Sequence, residues 1–333
     1  MSIGIILSNL GTPDLPTPAS VRKYLTEFLS DPRVIEIPKI FWRPILHGII
    51  LPLRSPRSAK LYQKIWTDNG SPLKIILEEQ VKKLDSRLRG NDGGDCGNDI
   101  FVIGAMRYGE PSIENAIYKL CEKKIKKIIL LPLYPQYSAA TTATTFDEVA
   151  RVFKSLRVQP EFYMINSYYN HPDYISAISD NIKSYWIKNG QTEKLLFSFH
   201  GLPQSFVDKG DPYYDQCIQT AKLIASQLNL NQNQWLVSFQ SRLGKAQWLR
   251  PYTDKTLQKL VLEENIKSVS VICPGFSADC LETLEEINIY NRELFIKSGG
   301  EKFHYIPALN AEDKHIEVLV KLITETIIYQ QLV

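Results

Sequence analysis

The chain has 333 residues, 44% of them hydrophobic and 23% charged, with a formal net charge of +3. That length has room for two domains or one large one with ample core, and the composition is that of an ordinary globular protein. The small net charge and the lack of any long Lys/Arg block exclude nucleic acid as a partner, and no run approaches the roughly 20 apolar residues of a membrane span.

Cys96, Cys121, Cys217, Cys273 and Cys280 form no C-x-x-C pair, and their odd number reads as reduced thiols rather than a disulfide framework. The opening "MSIGIILSNLGTPD" has no basic leader region and no cleavage signal, so a first strand and a cytoplasmic protein are expected.

Short apolar, β-rich runs alternate with helical patterns, the signature of parallel βαβ units. In chain order the strands are expected at 3–8, 100–105, 127–133 and 161–165, then at 194–199, 235–239, 267–273 and 303–306. Four and four predict an α/β protein of two lobes, 1–160 and 161–333, each a four-stranded parallel sheet flanked by helices. The stretch 311–330 has helical apolar spacing and is expected to pack back across a lobe. The polar stretch 86–99, "SRLRGNDGGDCGND", reads as a surface loop.

Open parallel sheets bind ligands at the carboxyl ends of their strands. The tails found there are "SNLGTPD", "AMRYGEPS", "LYPQYSAATTAT", "HGLPQSF", "QSRLGKAQWLRPYTD" and "PGFSADCLETLEE". None is a phosphate-cradling glycine loop.

His200 stands where the apolar run 195–199 breaks off at Gly-Leu-Pro. An imidazole at a strand end offers a lone pair near neutral pH, as general base or metal ligand. In "DCLETLEEINIYNREL", Asp279, Glu282, Glu285 and Glu286 crowd the start of a helix. Dipole compensation explains some of them, but Glu282 and Glu286 are i, i+4 and share a face, which fits a proton or cation path. One histidine and a few carboxylates make at most a weak, passing metal site.

Segment 37–67 lacks Asp and Glu but carries Lys39, Arg43, Arg54, Arg57, Lys60 and Lys64 among bulky apolar groups. Snorkelling cations on an ordinary helix pair would explain it. So would an apolar lip with cationic posts, for a flat carboxylate-bearing ligand or a membrane surface. Arg107 and Arg242 are expected to meet an acidic ligand or an internal ion pair.

Read together, "NLGTPD", "SDPRVIEIP", "GSPL", "AMRYGEPSI", "LPLYPQYSAATTAT", "FSFHGLPQSFVDKGDPYY", "FQSRLGKAQWLRPYTD" and "PGFSADCLETLEEINIYNRE" resemble the ferrochelatases, from residue 7 to about 309. The resemblance implies the chelatase fold, two Rossmann-like lobes with a porphyrin cleft between them, and insertion of ferrous iron into protoporphyrin IX. It makes His200 the active-site histidine, Glu282 its partner carboxylate and Glu286 the next member of an acidic row. His200, Glu282 and Glu286 are thereby the residues that meet the metal. Arg54, Arg57 and Ser71 match holders of the porphyrin propionates, Leu10, Tyr62 and Tyr137 the macrocycle wall, and Ser241 a further porphyrin contact.

Iron is then a substrate, with no permanent cofactor, and peripheral membrane contact would run through 37–67. Tyr290 stands where many relatives carry another acid, and no cysteine cluster follows Cys280, so no iron–sulfur centre is expected. A chelatase for cobalt or coproporphyrin would share the site. Leu10, aliphatic where coproporphyrin-using relatives tend to carry Tyr, favours protoporphyrin. A non-catalytic two-lobed porphyrin-binding protein would share the fold without needing His200 opposite Glu282.

Overall fold

The computed structural model describes residues 2–90, 100–242, 244 and 246–332. Its first sheet holds β1 (Ile3–Gly11), β2 (Ile100–Tyr108), β3 (Lys127–Pro132) and β4 (Glu161–Met164), in the order β2-β1-β3-β4. The second holds β5 (Lys194–His200), β6 (Trp235–Gln240), β7 (Ser268–Ile272) and β8 (Lys302–Ile306), in the order β6-β5-β7-β8. Every pairing is parallel. Such strands are covered on both faces, which is why they read as near-continuous Ile/Leu/Val/Phe runs instead of alternating ones.

In the first unit the connecting helices are α1 (Pro18–Leu29), α2 (Lys39–Ile45), α3 (Leu51–Ile65), α4 (Pro72–Gly90), α5 (Ile113–Glu122) and α6 (Thr144–Phe153). In the second they are α7 (Pro172–Asn189), α8 (Gln204–Asp208), α9 (Tyr213–Gln227), α10 (Thr253–Leu262) and α11 (Arg292–Lys297). Helix α12 (Asp313–Leu332) follows β8. Three stretches wind as wider π-helices: Leu46–Ile50, Ala139–Ala143 and Glu282–Asn291. Ile6, Leu130, Ile117 and Val149 centre the core of the first unit, and Leu196, Val271, Leu257 and Phe295 that of the second.

The first unit comprises 1–133, 138–166 and 316–333, and the second 134–137 and 167–315. The division into consecutive lobes 1–160 and 161–333 is corrected on three points. Strand β4 is hydrogen-bonded to β3, so the boundary falls after residue 166. Residues 134–137 go with the second unit, where Gln216 Oε1 accepts from Tyr137 N–H at 2.7 Å. From Ile316 onward helix α12 returns to the first unit.

The expected loop 86–99 is also corrected. Residues 86–90 complete helix α4, where Leu88 is buried and Arg89 pairs with Asp85 at 3.0 Å. The rest of that stretch, 91–99, lies outside the described residues.

Both sheets reverse their strand order beside the first strand, between β1 and β3 and between β5 and β7. At such a switch point the connections leave in opposite directions and open a crevice at the carboxyl ends of the strands. The tails of β5 and β7 therefore frame one natural site in the second unit, and those of β1 and β3 mark the same place in the first.

Candidate active site

Strand β5 runs beyond the end of its pairing with β7, which stops at Phe197↔Ile272, and so carries His200 to the sheet's rim. Gly201 explains the break that follows. Its N–H donates to Gln240 O at 2.7 Å, and a Cβ there would lie 2.7 Å from the same oxygen, so no side chain fits. The imidazole is half-buried, with the Phe276 ring 6.4 Å away. Its Nδ1 is 2.6 Å from Gly201 O. A carbonyl only accepts, so Nδ1 carries the proton and Nε2 of the neutral ring presents its lone pair.

The tail of β7 leads into the π-helix Glu282–Asn291. The i, i+4 pair was expected on an ordinary helix. Here the turns are wider, closing five residues back instead of four, and such turns concentrate at functional sites.

The entry to this helix is set by Asp279, which is buried. Its carboxylate accepts from Thr283 Oγ1 at 3.0 Å, from Asn310 Nδ2 at 2.8 Å and from the Tyr305 hydroxyl. Asp279 N–H donates in turn to Asn310 Oδ1 at 2.8 Å. Next to it, burial pushes the Cys280 thiol well above its usual range, and the Glu282 carboxylate raises it further.

One side chain ties Glu282 to the strand next to His200. Gln240 faces His200 across the β5–β6 register, and its Nε2 donates to the main-chain oxygen of Glu282 at 2.9 Å. Ser241 follows, with φ 65°, a left-handed backbone uncommon for a residue with a side chain. Its N–H donates to Glu286 Oε1 at 2.8 Å and its hydroxyl to Oε2.

Burial raises the Glu286 carboxyl to about 7, aided by the charges of Glu282 and Glu285 and opposed by the two Ser241 donors. Glu286 also lines an open pocket of about 160 Å³ together with Ser241, Asp254, Tyr290 and Asn291. Ser241, expected on the porphyrin, gives both its N–H and its hydroxyl to Glu286 here. Among the described residues no three His, Cys, Asp or Glu side chains are grouped to hold a metal ion.

In the first unit, Arg54 and Arg57 lie three apart on helix α3, half-buried and exposed respectively, and so share a face. Tyr62, on the same helix, is buried with its ring edge-on to Trp66 at 6.1 Å. Leu10 is half-buried at the end of β1. Ser71 is buried and shares a 2.8 Å hydrogen bond with Thr12. Tyr137, in the second unit, is half-buried.

Segment 37–67 forms α2, a π-turn and α3, and leaves Ile37, Ile40, Phe41, Ile45, Ile49 and Leu53 exposed, Ile40 to 78%. Both isolated-looking arginines have internal partners. Arg107 bonds Asp31 Oδ2 at 2.6 Å and Thr144 O at 2.7 Å, and Arg242 bonds Asp254 at 2.6 Å over the Tyr252 ring. Gln240 and Asn291 carry roles in the site that their sequence neighbourhood did not single out.

Two parallel four-stranded sheets with the reactive tails at their switch points define a chelatase fold. The chain superposes on SirB from Bacillus subtilis with Fe3+ at a TM-score of 0.57 and 12% identity, over 98% of this chain and 96% of that one. On the sirohydrochlorin chelatase SirB from Bacillus subtilis subspecies spizizenii in complex with cobalt the TM-score is 0.54 at 10% identity, over 98% and 95%. At these identities the likeness is one of fold.

The sequence is more specific. A family model described as ferrochelatase matches residues 2–327. The ferrochelatase of Aeromonas hydrophila subsp. hydrophila is 49% identical over 320 residues, 96% of this chain and 97% of that protein. That of Alcanivorax borkumensis is 47% identical over 325 residues, 98% and 94%. The chain belongs to the ferrochelatase family.

Proposed function

We propose that the protein inserts ferrous iron into protoporphyrin IX, giving protohaem and two protons, the terminal step of haem synthesis. The observation that carries this reading is the oriented imidazole of His200, with Nδ1 bound to Gly201 O, on a strand whose register partner Gln240 donates to the main-chain oxygen of Glu282.

Metallation requires both pyrrole N–H protons to leave before the four nitrogens close around the ion. His200 Nε2 takes the first of them as general base. Glu282 accepts the second or ushers the metal, and Glu286 continues that path. The porphyrin supplies the metal's lasting ligands, so the protein needs no closed metal cage. Iron is a substrate here, and no resident cluster is part of the proposal.

Arg54, Arg57 and Ser71 hold the propionates, and Leu10, Tyr62 and Tyr137 are each macrocycle-wall residues, as the motifs they match imply. Ser241 acts through Glu286. An apolar wall that grips a distorted macrocycle favours the transition state over the flat ground state.

Among the described residues no helix is long and apolar enough to cross a membrane. Cytoplasmic residence with peripheral membrane contact is proposed, because Ile40, Phe41, Ile49 and Leu53 stand exposed in a segment without acidic residues. Leu10 favours protoporphyrin over coproporphyrin.

The test is anaerobic incubation with ferrous iron and each porphyrin, following absorbance. Protoporphyrin should metallate faster. Equal or faster use of coproporphyrin would reassign the substrate, and binding without metallation of either would reduce the protein to a porphyrin carrier.

A further inference from the structure

A π-helix closes its main-chain hydrogen bonds five residues back and is rare beyond a single turn. Here one runs for ten residues, Glu282–Asn291, and something outside its own backbone has to favour it over an α-helix. Two buried amides meet it at particular places. Gln240, 2% exposed, donates from Nε2 to Glu282 O at 2.9 Å, and Asn291, 1% exposed, donates from Nδ2 to Glu286 O at 2.7 Å. The carbonyls they hold belong to the two residues whose carboxylates the reaction uses.

Gln240 is itself held in one orientation. Its Oε1 accepts from Ser198 Oγ at 2.7 Å and faces Cys273 Sγ at 3.6 Å, while Ser198 Oγ is 2.9 Å from Thr253 Oγ1. With its oxygen engaged on that side, the amide nitrogen has to point at the helix. Ser198 lies two residues before His200, on the same face of β5, so this ladder ties the histidine strand to the carboxylate helix.

We infer that Gln240 and Asn291 are positioning residues for metal insertion, fixing through their main-chain contacts where Glu282 and Glu286 stand along the helix. Neither is assigned to porphyrin or metal. The inference rests on the proposed iron-insertion function and adds to it. Loss of either amide removes its hold on that carbonyl and lets the turn relax, which carries the carboxylate away from its working place while the porphyrin-holding residues keep theirs.

The experiment uses Gln240→Met and Asn291→Leu, which keep the side chains' bulk and remove the donors. Protoporphyrin binding, single-turnover metallation of the bound porphyrin and urea unfolding are measured on the same preparations. The expected result is a fall of about 10- to 100-fold in metallation rate per porphyrin-bound molecule, with porphyrin affinity unchanged. Should Gln240→Met not fold, Asn291→Leu and Ser198→Ala, which frees the Gln240 amide, carry the test.

A folded variant that metallates at the wild-type rate would overturn the inference. So would parallel loss of porphyrin binding and rate, since that is the mark of a general structural role. Wild-type protein that binds porphyrin and inserts no iron would instead overturn the function on which the inference rests.

Discussion

Glu286→Gln tests how the acidic helix is balanced. Burial and the neighbouring Glu282 and Glu285 carboxylates hold the Glu286 carboxyl at about 7, against 4.5 for an unhindered one, although Ser241 donates two hydrogen bonds to it. Desolvation therefore outweighs the donors. Between these values the folded state binds a proton that the unfolded state has released, so stability falls as pH rises through the interval. Below it both states are protonated, and above it both are ionised.

The interval of about 2.5 pH units corresponds to about 3 kcal/mol at most. Glutamine does not titrate, and its exchange of hydrogen bonds with Ser241 adds an offset independent of pH. Urea unfolding of both proteins at about pH 5 and about pH 8 should show the variant gaining 2–3 kcal/mol on wild type across that span. A difference that stays flat with pH would refute the reasoning.

Asp279→Ala should destabilise the protein by about 3 kcal/mol or more, because the Tyr305, Thr283 and Asn310 donors lose a shared buried acceptor; an unchanged denaturation midpoint would count against the network. Changing Arg54 and Arg57 together to Gln should weaken the dicarboxylate porphyrin by about 1.5–3 kcal/mol per contact and spare its dimethyl ester, whereas equal losses would remove the propionate role. Ile40→Glu with Phe41→Glu should lower binding to anionic lipid vesicles, each exposed apolar side chain contributing about 1.5–3 kcal/mol when buried. Unchanged sedimentation with vesicles would remove the proposed membrane contact.

All eight strands were legible because strands covered on both faces must be continuous apolar runs, and their tails had to hold the site because parallel sheets bind at carboxyl ends. His200 was legible for the same reason. The type of helix carrying Glu282 was not. "ETLEEINIYN" has an apolar pattern that suits an α-helix, and its wider winding accompanies bonds from Gln240, distant in sequence, and from Asn291 at its own end. Ser241 could not be placed on Glu286 from sequence, since the contact spans 45 positions and uses a backbone conformation not expected of serine. Residues 86–90 looked like a loop only because the Gly/Asp/Asn run beside them masked the last turn of α4.

If His200 works on porphyrin held by other residues, one paired measurement separates chemistry from binding. Wild type and His200→Ala are incubated anaerobically with protoporphyrin IX and ferrous iron, with porphyrin binding followed by fluorescence and metallation by absorbance. Both proteins should bind the porphyrin and only wild type should metallate it. A folded His200→Ala protein that metallates at close to the wild-type rate would contradict that role for His200.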